Sequence, residues 1–464
     1  MKRTPWRWTA LTVAAGLALT GCATGTGGPQ SGDDTEFDAD AELSGELSTM
    51  GFAGGDEIGE VRWDAAVAAL PDVDVNRIEG SLDIQQFLSA VAAGDPPDLV
   101  YANRDQIGTF ASRGAVIPLD SCIEGEGIDV EQYREPALDQ VTFTGSVYGI
   151  PEFNTVQITM ANADVLAAAG LTLDDVNGSD WEAIRAATEA TTVGGAGDLS
   201  VIGFDSKLPE FLPLWAKSNG VDLLSEDGRT ANLDDPAVIE ALEFAVGIYD
   251  AQGGFSAVKA YRDSADFFGG GNQFATNVIG AMPFENWYLN VLNEVSPEAP
   301  LAFDAFRGKD GEPMAYATGS AWAIPAGTDT TQAACRFIKV ITETESWVAA
   351  AQARADLRAD SGQLFTGVLT GNREADEQIR EQFIDSQDAA EPWASAIDAV
   401  YEANDNTFSL PANPADAEFK TAWQDGVNRV LNGQAEPQES MEQAQEEAQT
   451  ALDEAWADWD EQEG

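Results

Sequence analysis

The chain contains no histidine. Only 24 of its 464 residues are Lys or Arg, against 80 Asp or Glu, which gives a formal net charge of −56. Without histidine, Ser-His-Asp and Cys-His nucleophile systems and His-ligated zinc sites are excluded. So few cations cannot build the basic surface that displaces counterions from nucleic-acid phosphates, which excludes that class of partner. Charge-driven adhesion to an anionic membrane is excluded for the same reason. Cysteine is scarce as well, with three residues, Cys22, Cys122 and Cys335. What the chain does have is apolar material. Hydrophobic residues make up 44% and aromatics 9%, so it is not disordered overall. Its length suggests two domains or one large bilobed unit.

The N-terminus reads as an address. Lys2, Arg3 and Arg7 precede an apolar run, Trp8 to Leu19, of 12 residues. A helix needs about 20 to cross the hydrocarbon layer, so the pattern is that of an export signal. It ends Leu19-Thr20-Gly21-Cys22, which resembles a bacterial lipobox. This makes residues 1–21 a signal peptide and Cys22 the expected site of lipidation. Cleavage would remove three cations and no acid, leaving a still more acidic chain that only a covalent lipid could hold at a membrane. Residues 22–42, rich in Gly, Ser, Thr and Asp, read as a lipidated flexible tether. Outside the cytoplasm, Cys122 and Cys335 are an isolated pair able to form a disulfide, with two buried thiols as the alternative.

Strand and helix patterns alternate through the rest. Strands are expected at 45–53, 72–78 and 98–101, with helices at 58–70, 84–93 and 106–112 between and after them. A strand at 147–151 leads out of this unit, and a second α/β set follows. It has helices at 163–169, 181–192, 212–218 and 236–251, strands at 201–204 and 279–283, and a helix at 287–293. Strands at 301–306 and 320–324 and a helix at 331–342 come next. The acidic end carries Met441, Ala444, Ala448, Leu452, Ala455 and Trp459 at helical spacing, which favours a closing helix over 437–459 packed on the body. The alternation implies mainly parallel sheets with helical crossovers.

Several motifs bear on chemistry. Asp72, Asp74 and Asn76 begin like an EF-hand loop, but Arg77 and Asp83 stand where Gly and Glu are required. Ser256 and Lys259 match Ser-x-x-Lys without its companion elements. No metal or cofactor is expected. Pro151-Glu152-Phe153-Asn154 and Pro283-Phe284-Glu285-Asn286 each end an expected strand in Glu and Asn. They are suited to acid/base work, to hydroxyl recognition, or to a turn. Three tryptophans sit beside such groups: Trp287 after Glu285-Asn286, Trp322 after Ser320, and Trp215 near a helix start. Aromatic faces stack on the C–H faces of sugars, while carboxylates and amides bond their hydroxyl rims.

In order along the chain stand Ala92-Ala93-Gly94-Asp95-Pro96-Pro97-Asp98, Ile117-Pro118-Leu119-Asp120, Val147-Tyr148-Gly149-Ile150-Pro151, Trp181-Glu182, Gly280-Ala281-Met282, Gly319-Ser320-Ala321-Trp322-Ala323-Ile324-Pro325 and Phe337-Ile338-Lys339. Together with the lipobox, this series resembles the extracytoplasmic solute-binding proteins of ABC importers, in the carbohydrate group related to maltose-binding protein. The resemblance implies a two-lobe α/β fold of the type II periplasmic-binding-protein class. Each lobe would be a mainly parallel sheet flanked by helices, and hinge strands would join the two. Lobe 1 would be 43–153 with 305–345, and lobe 2 would be 154–304 with 346–464. The implied site is an interlobe cleft at the strand ends. The residues expected there are Asp56, Glu57, Asn103, Arg104, Glu152, Asn154, Trp215, Glu285, Asn286, Trp287, Ser320 and Trp322. The implied function is capture of a sugar or oligosaccharide and its delivery to permease subunits by a membrane-anchored monomer, without catalysis. A secreted carboxylate-pair glycoside hydrolase and a non-transport receptor of the same fold are the alternatives.

Overall fold

The computed structural model describes residues 37–463 apart from residue 79. The expectations for residues 1–21, for Cys22 and for most of the 22–42 tether lie outside the described residues. The first unit runs β1 (Gly45–Met50), α1 (Glu57–Ala68), β2 (Val73–Ile78), α2 (Ile84–Ala93), β3 (Leu99–Asn103), α3 (Ile107–Ser112), α4 (Asp120–Glu126), α5 (Glu135–Asp139), the hairpin β4 (Thr142–Phe143) and β5 (Ser146–Val147), then β6 (Ile150–Thr155). The second runs β7 (Gln157–Asn162), α6 (Ala163–Ala168), α7 (Trp181–Thr191), β8 (Ile202–Phe204), α8 (Leu212–Ser218), α9 (Pro236–Asp250), α10 (Phe255–Asp263), β9 (Ile279–Glu285), α11 (Tyr288–Val295) and β10 (Leu301–Ala305). The chain returns through β11 (Ala315–Tyr316), β12 (Thr318–Ala323), α12 (Thr331–Thr342) and α13 (Thr344–Asp360). It closes with α14 (Arg373–Ile379), α15 (Trp393–Asp405), β13 (Thr407–Phe408), α16 (Asp416–Leu431) and α17 (Pro437–Glu463).

Local chemistry explains these boundaries. The Asp83 carboxylate accepts the Gln86 amide at the start of α2, and Gly94, at φ 74°, ends it in the left-handed region that glycine adopts without strain. Asp180 caps α7 through the Glu182 and Ala183 amides. In α17, Met441, Ala444, Ala448 and Leu452 are fully buried, so the expected closing helix does pack on the body despite its charge.

Two sheets define two lobes. The first has the order β2-β1-β3-β12-β6 and the second β10-β7-β9-β8. The two-lobed α/β class holds, but the sheets are mixed rather than mainly parallel. β12 pairs antiparallel with both β3 and β6, and β7 pairs antiparallel with β9 and β10. The reason is connectivity. β6 and β7 are separated by the single residue Val156, and β10 leads back through β11 to β12. The strands by which the chain enters a sheet from the other lobe, β12 and β7, start at its interlobe end and so run against the βα strands, while β6 and β10, which leave, run with them.

α4 and α12 cover one side of the first sheet and are joined by a disulfide between Cys122 and Cys335, 213 residues apart. Both residues are buried. The bridge lies within lobe 1 and does not cross the hinge. Replacing both cysteines by serine is expected to cost about 2–4 kcal/mol through the freed loop entropy of the unfolded chain. Thermal unfolding would show this as a lower Tm, with ligand affinity unchanged.

α16 and α17 pack along each other, and α17 also rests on α9. The Gln445 and Gln449 side chains bond the backbone of Leu233 and Ala231. At the other end, Phe143 of the β4–β5 hairpin packs on Trp456 and Trp459, with ring centroids 5.3 and 4.9 Å apart. α16 reaches lobe 1 through the pairs Lys420–Asp105 at 2.5 Å and Arg113–Glu418 at 2.8 Å. The last two helices therefore touch both lobes. Among the described residues, no helix is long and apolar enough to cross a membrane.

Candidate ligand-binding cleft

A cavity of about 350 Å³ lies between the lobes, where β3 ends and β12 begins. Its floor is the bulge between Gly319 and Ala321, where β12 shifts register against β6. A side chain at Gly319 would place its Cβ 2.0 Å from the Phe153 carbonyl oxygen and 2.8 Å from Arg104 Nη2, so only glycine lets the floor close over the Arg104 side chain. Gln157 locks the two hinge segments together. Its amide accepts the Tyr316 N–H and donates to the Tyr316 carbonyl, both at 2.9 Å.

Four aromatic side chains line the cavity: Phe153, Phe211, Tyr316 and Trp423. They come from β6, the residue before α8, β11 and α16. Trp423 is 1% exposed, and its indole N–H has no hydrogen-bond partner among the described residues. Between the rings stand carboxylates and amides: Asp105, Glu210, Glu285, Asn103, Gln140 and Gln424. Lys420 is the cation in the lining, and it is held by Asp105.

The lobe 2 wall is backed by a buried charge cluster. Asp205 accepts from the Tyr249 hydroxyl at 2.8 Å, from the Lys207 amide at 3.0 Å and from Arg262 Nη1 at 3.0 Å. Burial alone would raise the Asp205 carboxyl. Lys207, Arg262 and these hydrogen bonds outweigh it and hold the group below the ordinary carboxylate range. Burial pushes the Lys207 ammonium down, offset in part by Asp205, and its Nζ lies 4.5 Å from the centre of the Phe284 ring. Because the Asp205 pKa is depressed on folding, its stabilisation is complete above the unfolded value of ~4 and is lost as pH falls through the folded value. Asp205→Asn is therefore expected to lower Tm strongly at pH 7. The gap to the unmodified chain should begin to narrow below about pH 4 and close as pH falls through the lower folded value, where the unmodified Asp205 also becomes neutral.

The residues expected from sequence divide sharply. Asn103, Glu285 and Ser320 line the cavity. Trp287 is not in the lining; it is 37% exposed, with its indole N–H donated to the lining residue Glu285 and its ring stacked on Phe268 at 6.2 Å. Asn286 is used by the crossover, where its amide N–H and side-chain oxygen pair with Val156. Asp56 caps α1, and Asp56 and Glu57 both hold Arg354 of α13. The others are buried away from the cavity. Glu152 pairs with Arg62 at 2.6 Å, with both side chains fully buried. Asn154 accepts from Arg104 and donates to Asn404. Arg104 lies under the floor, where burial lowers its guanidinium to about 10. Trp215 packs in the lobe 2 core among Trp181, Phe244 and Phe306. Trp322 packs in the lobe 1 core among Phe52, Tyr101 and Phe337. Both are 0% exposed and offer no face to a ligand in this geometry. Among the described residues, no cluster of three or more acidic or cysteine side chains could hold a metal ion.

The residues missed include Asp105, Gln140, Phe153, Gln157, Glu210 and Phe211 as well as those of α16 and β11. Trp423 falls in the series Phe419, Trp423, Val427, Val430, which is the ordinary signature of a packing face. No sequence signal separates its cleft-facing edge from that role.

Comparison with known proteins agrees with this architecture. Residues 64–357 match the family model described as bacterial extracellular solute-binding protein. A curated relative, an uncharacterized lipoprotein encoded in the oleD 5′ region of Streptomyces antibioticus, is 30% identical over 105 residues, which is 22% of this chain and 23% of the relative. Among solved structures, the mannobiose complex of CpMnBP1 superposes with a TM-score of 0.69 at 20% identity, covering 88% of this chain and 100% of that one. The ABC substrate-binding protein Lmo0181 from Listeria monocytogenes, in complex with cycloalternan, gives 0.67 at 17% identity, covering 89% and 100%. Maltose-bound MalE3 of T. maritima gives 0.64 at 18%, covering 88% and 100%. These likenesses show a shared fold.

Proposed function

Since the chain belongs to the bacterial extracellular solute-binding protein family, a family of binding proteins rather than enzymes, we propose that its interlobe cleft captures a sugar or oligosaccharide. The observation that carries this reading is the cavity itself, which is lined by four aromatic rings together with carboxylates and amides from both lobes. Rings of this kind take the apolar faces of a pyranose, and the acids and amides take its hydroxyl rim. The relatives of known structure support it, because those quoted above hold mannobiose, cycloalternan and maltose. Trp423 anchors the ligand through the ring edge that reaches the cleft, and a longer saccharide extends toward Trp287 and Phe268.

The same proposal includes the wider setting. The signal and lipobox at Cys22 place the protein outside the cytoplasm on a lipid anchor, as a monomer that delivers its ligand to an ABC permease. The expected division is 43–153 with 305–345 for lobe 1, and 154–304 with 346–464 for lobe 2. The long α13 lies along α1, so in our reading the final share of lobe 2 begins after residue 360. Lobe closure on the ligand is favoured to the extent that the closed form binds it more tightly.

A thermal-shift screen of the purified chain against mono- and oligosaccharides, with product analysis on each hit, tests the reading. A bound ligand raises Tm as its concentration passes Kd. The expected result is a rise in Tm with the sugar recovered intact. A cleaved sugar, or silence across the whole panel, would remove carbohydrate capture as the function.

A further inference from the structure

Behind the cleft lies a second chamber of about 20 Å³. Asp105, Gln140, Tyr316, Lys420 and Trp423 line both spaces, so the two share a wall. Asn413 and Asp416 close the chamber from the far side. Two side chains of the shared wall carry buried polar atoms with no partner among the described residues: Gln140 Oε1 and Trp423 Nε1. Gln140 is 2% exposed and Trp423 1%. Of the Asp416 carboxylate, Oδ1 is held by Asn413. Oδ2 has no hydrogen bond among the described residues, although the Gly108 and Thr109 amides lie near the carboxylate.

Buried polar groups left without partners are costly, and native interiors supply them one. The chamber has room for about one water, which needs roughly 10–15 Å³. Its chemistry narrows the occupant further. An indole N–H only donates, so the occupant must accept, which a metal cation cannot do. An amide oxygen only accepts, so the occupant must also donate, which a simple anion cannot do. The cation nearest the chamber, Lys420, is already engaged by Asp105.

We propose that this chamber is a site for a single hydroxyl oxygen that bridges Trp423 of α16 to Gln140 of lobe 1. The oxygen comes from a resident water or from a hydroxyl of the ligand; the second source rests on the sugar-binding reading, the first does not. The bridge fixes the orientation of the Trp423 ring across the junction of the two lobes.

Crystals of the intact protein, grown without sugar and with the saccharide that stabilises it, test the site at a resolution that shows ordered water. The expected result is one oxygen peak within hydrogen-bonding distance of Trp423 Nε1 and Gln140 Oε1. A separate peak in both crystals assigns water as the source. A peak continuous with the sugar assigns the ligand hydroxyl. Gln140→Leu is expected to lose the peak, and Trp423→Phe, which keeps the ring and removes only the N–H, provides the check if the first variant folds poorly. Absence of any peak with and without sugar, or a protein group bonded to Trp423 Nε1, would overturn the proposal. The sugar-free crystals decide the water arm even if no saccharide binds.

Discussion

Replacing Trp423 with alanine is expected to lower saccharide affinity by about 100-fold, a loss of ~2.8 kcal/mol in binding. The magnitude follows from position. The ring lines the cavity from α16, at the helix that also clasps Asp105 through Lys420. A buried aromatic anchor near the centre of an interface carries a disproportionate share of binding energy. The ring is also packed, so the alanine variant will be less stable, by roughly 3–5 kcal/mol for a large core truncation. Titration well below its Tm separates the two effects. Trp215→Phe and Trp322→Phe are the controls. Both rings are enclosed in the cores of their lobes, so affinity should stay within about twofold. If alanine at Trp423 binds as tightly as the unmodified chain, the anchor lies elsewhere.

Glu152→Gln is expected to lower stability by about 3–5 kcal/mol while leaving affinity nearly unchanged. Glu152 and Arg62 are paired at 2.6 Å with both side chains fully buried. Arg62 also donates to the Ile58 and Ile341 carbonyls and lies 3.6 Å from the centre of the Trp347 ring. Glutamine keeps the shape but leaves a guanidinium in the lobe 1 core without its counter-charge, and an uncompensated buried charge is far more costly than the pair is favourable. Chemical denaturation measures the first part of the prediction and titration calorimetry the second. A variant with unchanged Tm and much weaker binding would instead make Glu152 a ligand group.

These two residues show where sequence reading succeeds and where it stops. The order of helices and strands was legible because each carries its own period and stop signals, as in α2 with Asp83 before it and Gly94 after it. The two-lobe class followed from that order and from the motif series ending in Gly319 to Pro325. Sheet direction was not legible, since pairing depends on how the crossovers at Val156 and at residues 306–317 re-enter each sheet. The cleft was legible only in part. Asn103, Glu285 and Ser320 sit at strand ends that face it. Trp322 is two residues deeper along β12 than Ser320, and that short distance takes it from the cleft floor into the aromatic core around Phe52. Glu152 and Asn154 share the Pro-Glu-Phe-Asn motif with Phe153, yet only Phe153 lines the cavity. Strand alternation turns the two polar neighbours inward, to Arg62 and Arg104. Nothing in composition reveals which of 24 cations are buried, so these partners were invisible.

The central claim is that ligand is held between the lobes against Trp423. Hydrogen exchange of the intact chain, with and without the saccharide that raises its Tm, tests this most directly. The account predicts new protection in both lobes at once, in peptides covering 103–105, 153–157, 316–320 and 420–424. Protection confined to one lobe, or lying wholly outside these segments while the sugar is bound, would contradict it.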